Sequence, residues 1–121
     1  MKTILIADDA PHLLMLLQHH LKNPNYALEM ASSGEEALVR AGACRIDLML
    51  IDVDLPGIDG LETVRRMKKL PGYAELPVVV MTGGSSNEIR ERAQEAGATS
   101  FFSKPYSPKD LLDQVAQLLH M

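Results

Sequence analysis

Leu48-Met49-Leu50-Ile51, closed by Asp52, is the stretch whose reading decides the fold. It is continuously apolar rather than alternating. Ile4-Leu5-Ile6 and Val78-Val79-Val80-Met81 share that character. Strands buried on both faces read this way, as in a parallel sheet covered by helices. Together with two shorter runs they predict strands over 3–7, 27–31, 48–51, 77–81 and 99–103.

The segments between them carry helix punctuation. Pro11 suits the first turn of a helix over 12–21, which Asn23-Pro24-Asn25 stops. Ser33-Gly34-Glu35-Glu36 is a capping-box pattern, with Glu36 placed to reach back to the cap of a second helix ending near Ala43. A third helix over 61–70 meets Pro71-Gly72, and a fourth over 87–96 ends on Gly97. Ser107-Pro108 opens a fifth, with Leu111, Leu112, Val115, Leu118 and Leu119 on its inward stripe. Strict strand–helix alternation predicts an α/β fold: a (βα)5 doubly wound sandwich in which every crossover is right-handed.

Length and composition agree. With 121 residues, 46% hydrophobic and 23% charged, the chain reads as one soluble globular domain over residues 1–121. Twelve Lys and Arg against sixteen Asp and Glu leave a net charge of −4, which argues against nucleic-acid binding. The basic run Arg65-Arg66-Met67-Lys68-Lys69 reads as a solvated helix face. One cysteine, Cys44, excludes an internal disulfide and a cysteine metal cluster, and reads as a small buried hydrophobe. Asp8-Asp9 ends the first apolar run too early for a signal peptide, and no run approaches the ~18 residues of a membrane span. The expected location is cytoplasmic.

In a doubly wound sheet the binding crevice lies at the carboxyl ends of the strands. Those ends carry Asp8 and Asp9, then Asp52, then Thr82, then Lys104. Two unit charges 4 Å apart repel by about 4 kcal/mol at an effective dielectric near 20. Three carboxylates therefore need a counter-charge, and Lys104 supplies only one. Mg²⁺ suits such a site, because it keeps several waters and shares its other ligands with phosphate. The competing reading is structural: Asp9 as a helix cap, and Asp54 or Asp59 as shapers of the Pro56-Gly57 turn.

These residues resemble the receiver domain of two-component response regulators. The likeness covers the whole chain. It rests on Ile4-Leu5-Ile6-Ala7-Asp8-Asp9, on Asp47 to Gly57, and on Ile58-Asp59-Gly60, Val80-Met81-Thr82-Gly83 and Phe102-Ser103-Lys104-Pro105, in that order. The resemblance implies a flavodoxin-like sheet of order 2-1-3-4-5. It implies that Asp52 takes a phosphoryl group from a sensor histidine kinase or a histidine phosphotransfer protein, with Mg²⁺ held directly by Asp9, mainly through water by Asp8, and by Asp52 and the carbonyl of Asp54. Lys104 would pair with Asp52 and then with the phosphoryl group. Thr82 would move to the new phosphoryl oxygen, drawing Gly83-Gly84-Ser85-Ser86 with it, and Phe101 would turn inward behind it. The Lys104–Pro105 bond would be cis. The outer face of the fourth and fifth helices would serve a homodimer or a target.

Other features are weaker. Gly83-Gly84-Ser85-Ser86 lacks the Lys and the spacing of a P-loop, and His19-His20 point apart on their helix. The methionines at 49, 67 and 81 read as core filler. In the first helix, Leu13, Leu16, Leu17 and Leu21 make a core stripe that leaves Leu14 and Met15 exposed beside the acidic edge, either as a docking site for a histidine kinase or phosphotransfer protein or as ordinary surface scatter. Two other functions compete. Asp52-Val53-Asp54 also resembles the DxD motif of haloacid-dehalogenase-type phosphatases, but there the motif follows the first strand. The other is a receiver-like interaction module that is never phosphorylated, a kind that usually loses one of the acidic residues present here. The expected protein is thus a switch rather than an enzyme on outside substrates. Its output is open, whether it acts alone or as a piece of a larger regulator or hybrid kinase.

Overall fold

The computed structural model describes residues 1–84 and 87–120. Ten elements alternate along the chain: β1 (Lys2–Ala7), α1 (Pro11–His20), β2 (Tyr26–Ala31), α2 (Gly34–Ala43), β3 (Leu48–Asp52), α3 (Gly60–Lys68), β4 (Val78–Thr82), α4 (Asn87–Ala96), β5 (Ser100–Ser103) and α5 (Pro108–Leu119). The strands pair in parallel in the order β2-β1-β3-β4-β5, as the apolar runs and the resemblance predict.

The sheet separates two cores. Every residue of β3 is buried, and its alternate side chains serve opposite faces. Met49 and Ile51 join Leu5, Val78 and Val80 beneath α2, α3 and α4. Leu48 and Leu50 join Ile4, Ile6, Val79 and Met81 beneath Leu17 and Leu21 on one side and Leu111, Val115 and Leu119 of α5 on the other. The predicted stripe of α5 holds, with Leu112 and Leu118 packed at its edges. Met49, Met67 and Met81 are fully buried.

The caps follow the punctuation, with one change. The Ser33 hydroxyl accepts from the Glu36 amide at 3.1 Å. Glu36 does not return to the cap; its carboxylate takes a hydrogen bond from the hydroxyl of Ser32 at 3.3 Å. Asp59 has a structural role, but as the cap of α3, accepting from the Glu62 amide at 2.8 Å, rather than as a shaper of the Pro56-Gly57 turn. The cap reading fails for Asp9: α1 is capped by Ala10, with no side-chain hydrogen bond.

The first helix corrects the predicted phase. Leu16 is 47% exposed, whereas Leu14 packs against the core with Leu17 and Leu21. Five consecutive apolar residues, from Leu13 to Leu17, cover every direction around the helix, so their spacing cannot choose a face. The exposed apolar pair is Met15 and Leu16, not Leu14 and Met15. Cys44 is half-buried rather than buried, and its thiol donates to the Arg40 carbonyl at 3.4 Å. Within the basic run, Arg65 and Arg66 pair with Glu62, but Lys68 is half-buried with its ammonium on the Leu76 carbonyl.

Two helices differ in how firmly they sit. α3 buries Leu61, Val64 and Met67, whereas the buried side chains of α4 are both alanine, Ala93 and Ala96. α3 also begins hard against the sheet. A Cβ on Gly60 would collide with the backbone carbonyl of Asp52, so only glycine lets the helix start there.

Candidate functional site

Strand register assembles the site. Ala7 of β1 lies opposite Ile51 of β3, so Asp8 and Asp52 leave neighbouring strands side by side. Asp52 lies opposite Met81, and Thr82 opposite Ser103, which puts Thr82 and Lys104 on the same edge. Adjacent strands lie only ~4.8 Å apart, so these side chains emerge within reach of one another. The Lys104 amide donates to the Thr82 carbonyl at 2.7 Å, and this continues the ladder to the lysine itself. The Lys104–Pro105 peptide bond is cis.

Asp8 is 1% exposed and Asp52 4%. The Lys104 ammonium lies 3.0 Å from Asp52 Oδ2 and 3.6 Å from Asp8 Oδ2. The remaining oxygens meet backbone amides: Asp8 Oδ1 accepts from Ala10 at 2.9 Å, and Asp52 Oδ1 from Asp54 at 3.1 Å. Asp8 Oδ2 accepts no hydrogen bond, the one such buried side-chain oxygen among the described residues. Asp9 is exposed, yet it turns towards the others: one oxygen each from Asp8, Asp9 and Asp52 lie within 4.8 Å of one another.

The electrostatics show a site short of positive charge. Burial pushes the Asp8 carboxyl up. The Ala10 amide and the Lys104 ammonium pull the other way, while Asp52 and Asp9 add to the rise. For Lys104, burial favours the neutral amine, but the hydrogen bond and charge of Asp52, helped by Asp8, outweigh it and raise its pKa. The ammonium is thus locked in its charged form against two buried carboxylates. A small oxygen-seeking divalent cation fits here. Asp8 Oδ2 is buried, accepts no hydrogen bond and has only the Lys104 charge at 3.6 Å, and two further carboxylates stand within reach.

The remaining predicted residues fall around this centre. Thr82 is buried, and its hydroxyl accepts from the Gly84 amide at 3.1 Å. Ser85 and Ser86, from the same loop, lie outside the described residues. Asp54 is exposed and meets the site through its backbone. Phe101 is half-buried on β5, with the Arg90 guanidinium carbon 4.8 Å from its ring centroid. Met15 is exposed and lines a different hollow, whereas Leu16 joins Leu13, His20, Pro105, Tyr106 and Pro108 in an apolar groove that Lys104 also lines. Asp52 ends the third strand, which departs from the phosphatase pattern.

Three residues hold roles around the site that their sequence context did not assign to them. Tyr106 stands edge-on to Phe102 at 6.3 Å; burial raises its phenol, Lys104 lowers it, and the charges of Asp8 and Asp52 raise it. Glu35 reaches from α2 to accept the Ile58 amide at 3.4 Å, steadying the loop after Asp52. Gly60 sets the closeness of α3 to the Asp52 backbone. Tyr106 carried a signal, since it stands two residues past Lys104. Glu35 carried none, because its partner is 23 positions away.

Residues 4–116 match the family model of the response regulator receiver domain. The chain belongs to that family. It is 34% identical over 98% of its length to the cyclic di-GMP phosphodiesterase response regulator RpfG of Xanthomonas campestris pv. campestris. The receiver domain spans 32% of that relative and about half of other curated relatives it matches. Its fold superposes on the chemotaxis response regulator CheY4 of Vibrio cholerae with a TM-score of 0.91 and 30% identity, covering 98% of this chain and 99% of that one. The receiver domain of the sensor histidine kinase PA1611 from Pseudomonas aeruginosa PAO1 has the same fold at 22% identity, with a TM-score of 0.90 and coverage of 99% and 98%. That protein was crystallised with a magnesium ion in its active-site cleft. The expected family and sheet order are therefore borne out. Receiver domains are signalling modules of two-component systems.

Proposed function

We propose that this receiver domain is charged on Asp52 by a histidine kinase or a histidine phosphotransfer protein, and that it works as a switch rather than as an enzyme on outside substrates. The observation that carries the reading is the buried pair Asp8 and Asp52 beside one ammonium, with Asp8 Oδ2 left without a hydrogen bond. A carboxylate oxygen of Asp52 attacks the phosphorus of a phosphohistidine. The new O–P bond forms as the P–N bond breaks, and its electron pair stays on the imidazole nitrogen. The product is an acyl phosphate.

Such transfer asks the protein mainly for in-line placement and for charge to meet the phosphoryl oxygens. Asp8, Asp9, Asp52 and the backbone carbonyl of Asp54 would hold Mg²⁺, which when bound neutralises charge on the phosphoryl oxygens. Lys104 already sits on Asp52 and needs only to follow the phosphoryl group as it arrives. The Thr82 hydroxyl donates to a new phosphoryl oxygen, moving relative to the Gly84 amide that it now holds. Phe101 then turns inward. With no hydroxyl on its ring, packing alone holds that position.

The phosphodonor is a helix presenting a phosphohistidine, seated in the apolar groove of Leu13, Leu16, Pro105 and Tyr106. Lys104 lines both this groove and the Asp52 site, so the two are continuous. Helices α4 and α5 form the surface for a homodimer or a target. We read residues 1–121 as one cytoplasmic domain that makes no direct contact with nucleic acid or membrane; among the described residues no helix is long and apolar enough to cross one.

Intact-mass measurement after incubation with a small phosphodonor tests the reading. One phosphoryl addition is expected, dependent on Mg²⁺ and absent from Asp52→Asn. Addition that persists in the Asn variant would show another nucleophile, and none in the wild type would favour an interaction module that is never phosphorylated.

A further inference from the structure

The buried side chains of α4 are alanines, so little apolar surface fixes that helix to the sheet. One tie to β5 is polar. Phe101 pairs with Val80 in the ladder, and its ring packs against the core beneath α2, α3 and α4. The Arg90 guanidinium lies 4.8 Å from the ring centroid, and Arg90, Ala93 and Gln94 line the hollow beside the ring. Arg90 is in none of the ion pairs found among the described residues, so the ring is what its charge faces. Lys104 is still paired with Asp52, which makes this the arrangement that precedes phosphoryl transfer.

We infer that Arg90 is a positioning residue for Phe101, a latch on the ring that weights the domain towards its uncharged state. The inference rests on the phosphoacceptor reading above and adds to it a setting of the switch that belongs to this chain. When Phe101 turns inward the ring leaves the guanidinium and the contact is lost. A contact made in only one of two states shifts their balance by its own worth. For a cation over an aromatic face at a half-exposed site, that is about two- to fivefold.

The test is titration with beryllofluoride in Mg²⁺, a small mimic of the phosphoryl group on a carboxylate. Wild type, Arg90→Gln, Arg90→Lys, Phe101→Leu and the Gln/Leu double variant are compared, with melting curves taken without the mimic. Arg90→Gln should bind about two- to fivefold more tightly than wild type, and Arg90→Lys should stay close to wild type. In the Phe101→Leu background the Gln substitution should change affinity by less than the cycle's error. A merely structural arginine would lower the melting temperature and leave affinity alone. Equal or weaker binding by Arg90→Gln, or an undiminished gain without the ring, overturns the latch. Failure of the wild type to bind at all overturns the phosphoacceptor reading, and the latch with it.

Discussion

Asp8 Oδ2 is buried with no hydrogen bond to accept, an arrangement that a stability-optimised core would avoid. An unsatisfied buried polar atom costs about 1–3 kcal/mol. The direction of the Asp8 shift agrees, since burial raises its pKa. A carboxyl whose folded pKa lies above its unfolded value binds its proton more tightly when folded, so the ionised group opposes folding at neutral pH. Asp8→Asn keeps an oxygen for the Ala10 amide and removes the charge. It should therefore raise the stability of the metal-free domain by about 1–2 kcal/mol in urea denaturation, while weakening Mg²⁺ binding at least tenfold. An unchanged or lower midpoint would show that Lys104 already offsets the charge of Asp8 in full.

Among the elements, α1 shows where reading a sequence stops. Its existence and its start at Pro11 were legible, because proline at a first turn is a local signal. Its orientation was not, because an unbroken run from Leu13 to Leu17 satisfies every phase, and only the strand faces beneath it choose Leu14 and Leu17. β3 was the opposite case: a continuous apolar run ending in an aspartate gave both its burial and the place of its last residue. The corrected phase moves the docking prediction. Leu13→Gln with Leu16→Gln should slow phosphotransfer from the cognate donor about tenfold and leave labelling by a small phosphodonor unchanged, as time courses of both reactions would show. Equal slowing of the two would place the fault in the site itself. The carboxylates, Thr82 and Lys104 were legible because strand ends in a doubly wound sheet converge by topology. Glu35 and Arg90 were not, because what they touch depends on how helices dock onto loops and strands far away in the chain.

Across the whole molecule, stability is unevenly spread. The central strands are buried throughout, and α3 plants Leu61, Val64 and Met67 in the core, whereas α4 offers two alanines. Amides of α4 should accordingly exchange with deuterium at least tenfold faster than those of α3, with β3 and β4 slowest, in residue-resolved exchange at neutral pH. Equal protection of the two helices would mean that the loosely held segment opens only with the rest. The sheet between the two cores has a further consequence. The groove proposed for the donor is built from α1 and the segment entering α5, on one side of the strands; Phe101, with Arg90 of α4 over its ring, packs against the core on the other. The proposed donor groove and the proposed latch thus open on opposite sides of the sheet, with α5 bordering the groove. A messenger could be charged at one while its listener already waits at the other, so that neither need leave before the signal passes.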